Sequence, residues 1–495
     1  MREAAARYGD RDALLAGDAH FSYRDLDQAS DRLAAALSDR VAPNDRVALM
    51  MTNRPEFVVA VNAISKRGAA SVLLSPAWKQ REVDHALAIT GAKLAIADGA
   101  SLGLLRATLG EADVIDLDGR DYATAVASDA IPPAVVVEPT DEAVLVFSSG
   151  TTGLPKAVRH THASIGHGIQ HWIEALGLTD ADRFQVATPP SHILGLLNLV
   201  TAAAAGATVR LHPRFDLDEI LRRIASERMT LEMAVAPIAL AMANHPEIES
   251  YDLSSLRYIM WGATPVTPSV AETVTARTGV RWLPAYGASE LPVITCNPVG
   301  KPDEWRLDSA GLPPTGVELR VVDLDTREVL PPGETGEIQV RSPSVMSGYL
   351  PEEDSADAFD GYWYRTGDVG WIEPEGWVHL TDRSKEMIKV NGFQVAPAEI
   401  EAVLHGHPAV LDCAVFGVAD ASAGERPVAA VVIDPAATTT TEDLRQLVVD
   451  SLATYKHPRA VVAVDTVPRL PSGKVLRRTL AARWDTDSDT LSPAE

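Results

Sequence analysis

Up to about residue 380, short apolar runs alternate with amphipathic segments, and no other feature of the chain restricts its fold so strongly. Val47–Met51, Ser71–Leu74 and Ala95–Ala97 have the length of buried strands, and Glu56–Arg67 and Glu82–Leu87 between them read as helices. Strands alternating with helices imply layered α/β architecture. Over Glu318–Ser342 the texture changes to strands with polar turns, and the Pro331-Pro332-Gly333 corner suits a hairpin or small barrel. A second strand-rich patch covers Gly370–Leu380. Beyond it, Pro397–Leu404 reads as a helix opening with proline and acids, Ala414–Val418 as a strand, and Thr438–Thr441 as a loop entering a helix. A chain of 495 residues is too long for one core. The reading is α/β and α+β: a large unit over residues 1–381 with layered sheets, helices and a β-barrel-like part; a link at 382–385; a small α+β unit over 386–485; and a polar, disordered tail over 486–495.

Acidic residues outnumber basic ones 68 to 44, a formal charge of −24, and no stretch is dense in Lys or Arg. Nucleic acid is therefore excluded as the main partner, because duplex binding needs a basic face. The two cysteines, Cys296 and Cys413, cannot build a disulfide framework. The start, Met1-Arg2-Glu3, lacks a signal pattern. The most apolar stretch, Ile193–Ala207, is broken by Asn198 and Thr201 and falls short of the ~20 residues of a membrane helix. The expectation is a cytoplasmic enzyme with no membrane partner.

Ala143–Lys156 reads AVLVFSSGTTGLPK. An apolar strand, Ala143–Phe147, runs into a loop in which Gly150 and Gly153 let the backbone aim its amides at one point. Ser148, Ser149, Thr151 and Thr152 add hydroxyl donors, and Lys156 adds a charge. A triphosphate requires these groups. The loop is not a Walker A sequence, since the residue five after Gly150 is Pro155; the bland alternative is a Ser/Gly-rich turn. His160, His162, His167 and His171 follow, but no carboxylate or cysteine completes a metal set. No G-x-S-x-G elbow is present, so a serine hydrolase lacks its nucleophile motif.

SSGTTGLPK resembles the phosphate-loop signature of the adenylate-forming superfamily: acyl-CoA and aryl-CoA synthetases, beetle luciferase and peptide-synthetase adenylation domains. The resemblance runs from Phe21 to Arg478 with the motifs in the expected order, and is closest to 4-coumarate–CoA-ligase-like acyl-CoA synthetases. Pro284-Ala285-Tyr286-Gly287-Ala288-Ser289-Glu290 contains a likeness to the family's Y-G-x-T-E motif. It implies Tyr286 at the adenine face, Ser289 at a phosphate oxygen and Glu290 as the Mg²⁺ ligand. Asp368, in Tyr364-Arg365-Thr366-Gly367-Asp368, resembles the aspartate that accepts from the ribose hydroxyls, and Arg383 the second ribose contact. Gly262, Ala263 and Thr264 stand where the family lays backbone beside adenine, with Trp261 in place of the usual glycine.

Lys474, in Pro471-Ser472-Gly473-Lys474, resembles the catalytic lysine of the family's mobile C-terminal domain, which stabilises charge on the α-phosphate. His192 lies in a segment similar to P-x-x-H-I-x-G and is implied to border the acyl carboxylate. No aspartate stands beside it, which favours a simple carboxylic acid over an amino acid. Leu196, Ala236, Pro237, Gly287 and Leu291 become acyl-pocket walls, suited to an aryl, alicyclic or medium-chain acid. Lys389–Gln394 resembles the IKxxGFQV segment: Asn391 and Gly392 for the pantetheine arm, Lys389 and Gln394 for the adenylate. Arg214 stands at the position of a cation for the CoA nucleotide, and Lys385 at the hinge.

The resemblance implies an ATP-dependent acyl-CoA synthetase that uses ATP, Mg²⁺ and coenzyme A in two half-reactions, with the C-terminal domain turning about 382–385 between them. Three alternatives stay open: loading of a carrier-protein phosphopantetheine, specialisation in one half-reaction, and a non-catalytic nucleotide-binding module. The sequence does not define the oligomeric state.

Overall fold

The alternating apolar runs assemble into two large sheets. The structure, a computed structural model, describes residues 1–148, 154–262, 266–383, 386–390, 393–420, 423–470, 473–485 and 490–491. In the first sheet, Glu142–Ser148, Ala70–Leu73, Arg46–Met50, Leu94–Ala97 and Val114–Asp116 lie side by side in parallel. Lys156–Thr161 and then Gly348–Leu350 extend it antiparallel beyond Glu142–Ser148. In the second, the parallel order is Trp282–Tyr286, Tyr258–Trp261, Leu231–Ala234, Arg183–Val186, Thr208–Leu211 and Asp12–Ala16, with Thr295–Cys296 and Ala19–Ser22 antiparallel at the edges.

Parallel strands this apolar need cover on both faces, and helices provide it. Tyr23–Ala36, Pro55–Lys66, His162–Leu176 and Ile193–Ala205 share one core with both sheets, joining Leu49 and Val146 of the first to Phe184 and Val209 of the second. Leu217–Glu227, Ala236–Ala243 and Pro268–Thr278 close the outer face of the second sheet. Gln80–Thr90 and Ser101–Leu109 close that of the first. The apolar segment at Ile193 is therefore a central helix, apolar on nearly every face because most of it is buried. Of its polar interruption, the Asn198 carbonyl oxygen accepts from the Trp172 indole at 2.8 Å inside the core. No helix among the described residues is long and apolar enough to cross a membrane.

The β-rich texture after Glu318 becomes a five-stranded antiparallel sheet: Glu318–Val322, Gly336–Arg341, Trp363–Ile372 and Phe359–Asp360, with Val378–Arg383 also paired to Trp363–Ile372. Leu291, Ile294, Ile338 and Val378 form its core. Beyond Ile388 a separate sheet of Phe393–Val395, Ile388–Val390, Gly424–Ile433, Val410–Asp420 and Ala460–Ala463 packs on Pro397–His405, Thr441–Ser451 and Arg477–Ala482. The threonine run enters its helix as read, with Thr440 and Asp443 in a reciprocal cap. Of the tail, residues 490–491 are described and 486–489 and 492–495 lie outside the described residues. Trp484–Asp485 pairs with Thr490–Leu491, because Trp484 and Leu491 pack on the apolar cluster around Phe416 and Leu480.

Candidate active site

The serine- and glycine-rich loop joins two antiparallel strands rather than a strand and a helix, for Ser148 pairs directly with Lys156. Its centre, Ser149, Gly150, Thr151, Thr152 and Gly153, lies outside the described residues, as do Ala263, Thr264, Lys385, Asn391 and Gly392. Lys156 leaves the loop 3.0 Å from Asp354 and 5.5 Å above the Tyr349 ring. The Tyr349 hydroxyl donates to Glu290 at 2.9 Å. One strand pairing thus brings the lysine and the expected metal carboxylate to the same aromatic ring.

Glu290 is placed there by a tight turn. Ala288 and Leu291 exchange backbone hydrogen bonds, and a Cβ on Gly287 would stand 2.1 Å from the Pro292 carbonyl oxygen, so only glycine fits. His160 fixes the same turn from beneath: its Nε2–H donates to the Ser289 carbonyl at 2.7 Å. Burial pushes this imidazole down to about 4, so it is a neutral donor. His171 similarly meets Ser344 at 3.1 Å.

Tyr286 ends its strand with its hydroxyl on Asp368, and burial first, then Asp368, pushes the phenol up. Arg383, paired with Asp368 across the third sheet, reaches its other oxygen at 2.9 Å, and this carboxylate holds the guanidinium above its ordinary range. Gly367 takes a left-handed φ of 69° to turn Asp368 inward. Gly262 follows Trp261, which pairs with Pro284 in the neighbouring parallel strand, so the backbone at Gly262 and Ala285 lies at adjacent strand ends. Trp261 itself is turned into the outer core, 5.1 Å from Trp282.

A cavity of about 310 Å³ opens at the carboxyl edge of the second sheet, next to the strand whose Ala234 carbonyl accepts from the Gly262 N–H. Ala187 and Thr188, Pro213 and Arg214, and Val235, Pro237 and Ile238 line it, just past the carboxyl ends of three neighbouring parallel strands. Open α/β sheets hold ligands at such ends. His192 projects into it from the start of the central helix; its Nδ1 accepts from the Leu194 N–H at 3.3 Å. Burial pushes the imidazole down to about 4, leaving a neutral ring with its Nε2–H available. The glycine of the segment has a packing reason: a Cβ on Gly195 would stand 2.4 Å from the Pro189 carbonyl oxygen, where the entry loop folds under the helix.

Of the expected acyl walls, Pro237 and His192 line the cavity, while Ala236 and Gly287 do not. Leu196 and Leu291 are buried instead in the central and third-sheet cores, because successive helical and turn residues point away from one another. Leu194, Val235, Ile238 and Asn53 line the cavity without having been singled out. The one available signal was position: each follows a strand or opens a helix at the carboxyl edge.

From the C-terminal unit, the loop carrying Lys474 lies against the cavity wall. A Cβ on Gly473 would come 2.9 Å from Pro237. Lys474 is half-buried and 3.2 Å from Glu386, whose other oxygen meets Arg477 at 2.6 Å. Lys389 is exposed and pairs through its backbone with Gln394, of which only the backbone is described.

Comparisons with known proteins cover nearly the whole chain. The model of the AMP-binding enzyme family matches residues 1–350, and that of the AMP-binding enzyme C-terminal domain residues 399–474. The chain is 34% identical to 4-coumarate–CoA ligase 1 of Petroselinum crispum over 503 aligned positions, covering 97% of this chain and 92% of that one. Its fold is similar to the anthranilate CoA ligase AuaEII in complex with anthranoyl-AMP, with a TM-score of 0.90, 26% identity and coverage of 97% and 95%. It is also similar to the amide bond synthetase McbA from Marinactinospora thermotolerans, with a TM-score of 0.88, 30% identity and coverage of 97% and 98%.

Proposed function

We propose that this chain, which belongs to the AMP-binding enzyme family and is an AMP-forming acid–thiol ligase, activates an aryl, alicyclic or medium-chain carboxylic acid as acyl-AMP and passes the acyl group to coenzyme A. The observation that supports it best is the contact of Gly473 with Pro237, which brings the loop bearing Lys474 to the wall of the cavity that His192 enters.

In the first half-reaction, ATP lies with its ribose hydroxyls on Asp368 and Arg383 and its phosphates on the Ser148–Lys156 loop. Lys156 exchanges Asp354 for phosphate oxygens. A carboxylate oxygen of the acid attacks the α-phosphorus, the bond to the bridging oxygen breaks, and pyrophosphate leaves. Lys474 exchanges Glu386 for the equatorial oxygens, where charge develops. Glu290 fits Mg²⁺, being a single buried carboxylate beside the phosphate loop; the ion would neutralise phosphate charge there, and such a site needs few protein ligands. The neutral His192 offers its N–H to the acyl oxygen.

In the second half-reaction the unit beyond residue 385 turns about the 382–385 link, with Lys385 at the pivot. Lys474 withdraws, Lys389 and Gln394 reach the adenylate, and Asn391 and Gly392 line the path of the pantetheine arm. The thiol sulfur attacks the acyl carbon, its proton passes to solvent, and AMP departs with the former carboxylate oxygen. Arg214, exposed at the cavity mouth, meets the CoA phosphates. The exposed position of Lys389 supports reading the present arrangement as that of the first half-reaction. The apolar walls at Leu194, Val235 and Ile238 favour an uncharged acyl body.

Mass spectrometry of products from ATP, a panel of carboxylic acids and competing acceptors tests the reading. CoA, a phosphopantetheinylated carrier protein and a simple amine would be offered together. Acyl-CoA is the expected product, and acyl-carrier or amide without acyl-CoA would overturn the acceptor assignment.

A further inference from the structure

Behind the cavity, the strands that form its wall are tied together by a buried polar chain that the reaction does not use. Gln185, Glu232 and His212 stand on or directly after three neighbouring strands and are 1%, 2% and 4% exposed. The Gln185 amide donates to Glu232 Oε2 at 2.9 Å and to the Ile220 carbonyl at 3.2 Å. That carbonyl can only accept, which fixes the amide orientation and leaves Gln185 Oε1 to accept from His212 Nε2–H at 2.6 Å. A few residues onward, each strand enters the cavity wall, at Ala187, Pro213 and Val235.

We propose that Glu232 is a positioning residue for the cavity: bonded to Gln185 and through it to His212, its carboxyl holds the three strand ends at the spacing that substrate binding needs. The proposal rests on the cavity being the substrate pocket. Burial pushes the Glu232 carboxyl up to about 8 and the His212 imidazole down to about 4, so the chain is uncharged at neutral pH. The charged groups around it are Arg210 on the adjoining strand and Glu219, Arg223 and Glu227 on helix Leu217–Glu227. Arg210 is paired with Glu227, and Arg223 with Glu219 and Glu227, so both cations are already engaged. On its other side Glu232 adjoins Ile259. Loss of the proton leaves a buried charge met only by the Gln185 amide and the Met233 backbone N–H, with no cation beside it, and the strand ends part or water enters to relieve the rest of its desolvation.

The test is the pH dependence of KM for the acid and for CoA in the full-length protein, from about pH 6.5 to about pH 9.5. Glu232→Gln keeps the shape and cannot ionise. In the wild type, one of the two KM values should rise about threefold to tenfold above about pH 8, the size of one buried hydrogen bond, with kcat unchanged. In Glu232→Gln it should stay flat at the wild-type neutral value. Superimposable profiles from a folded Glu232→Gln protein would overturn the proposal. A flat wild-type profile would do so without any variant. Absence of acid-dependent turnover at every pH would count against the cavity itself, and the proposal would fall with it.

Discussion

Lys474→Ala should separate the two half-reactions. The ammonium sits 3.2 Å from Glu386 at about a third exposure, and Glu386 keeps Arg477 at 2.6 Å when the lysine is gone. An ion pair of that exposure is worth about 0–1 kcal/mol, so the fold should lose little. In the transition state the same ammonium meets charge spreading over the α-phosphate, a contribution of about 3–4 kcal/mol for one well-placed donor. Leaving Glu386 costs part of this, for a net of about 2–4 kcal/mol, roughly 30- to 1000-fold in rate. Acid-dependent pyrophosphate release reads this directly. Thioester formation from synthetic acyl-adenylate and CoA should fall by less than about threefold, since Lys474 has withdrawn by then. Equal loss in both assays would refute the division of labour between the two faces of the C-terminal unit.

Asp368→Ala removes the acceptor for Tyr286 and Arg383 together with the proposed ribose contacts; KM for ATP should rise about 10- to 100-fold, the range of charge-assisted hydrogen bonds, and an unchanged KM would place the ribose elsewhere. Gly195→Ala drives a Cβ to 2.4 Å from the Pro189 carbonyl, and thermal melting should show a loss of about 1–3 kcal/mol. The pH dependence of stability has a defined sign at Glu232: its folded value of about 8 lies above the ordinary 4.5. The folded state therefore holds the extra proton across that window, and the group's contribution is lost as pH rises through it. The Tm of the wild type relative to Glu232→Gln should accordingly fall between about pH 5 and about pH 8; a constant difference would show that Glu232 does not titrate there.

The parts of the site legible in the sequence are those whose chemistry is local. Gly287 and Gly195 admit no Cβ, Gly367 needs a left-handed turn, and the hydroxyl-rich loop ends in a charge; each announces itself within a few residues. The strands of the first sheet are equally readable, because they are covered on both faces and nearly continuous in apolar residues; those of the second, which carry Gln185, Arg210 and Glu232, are not. Strand order was not. The cavity exists because Leu231–Ala234 lies beside Arg183–Val186, which lies beside Thr208–Leu211, and alternation along the chain does not encode that adjacency. Leu196 and Leu291 accordingly read like wall residues in the sequence, whereas the fold packs both in cores and puts Leu194 and Val235 on the cavity. The histidines after the phosphate loop illustrate the same limit: the sequence gives His160 no role, and only the fold brings the Ser289 carbonyl, distant in sequence, to its ring. The Lys156–Asp354 and Lys474–Glu386 pairs likewise join segments whose meeting only the tertiary structure reveals.

The central claim is that a carboxylate oxygen becomes bonded to the α-phosphorus and leaves with AMP. Turnover of a carboxylic acid labelled with heavy oxygen in both carboxylate positions, followed by mass spectrometry of the AMP, measures this directly. One heavy oxygen should appear in each AMP formed and one should remain in the thioester carbonyl. Unlabelled AMP, or label recovered in inorganic phosphate, would contradict the account.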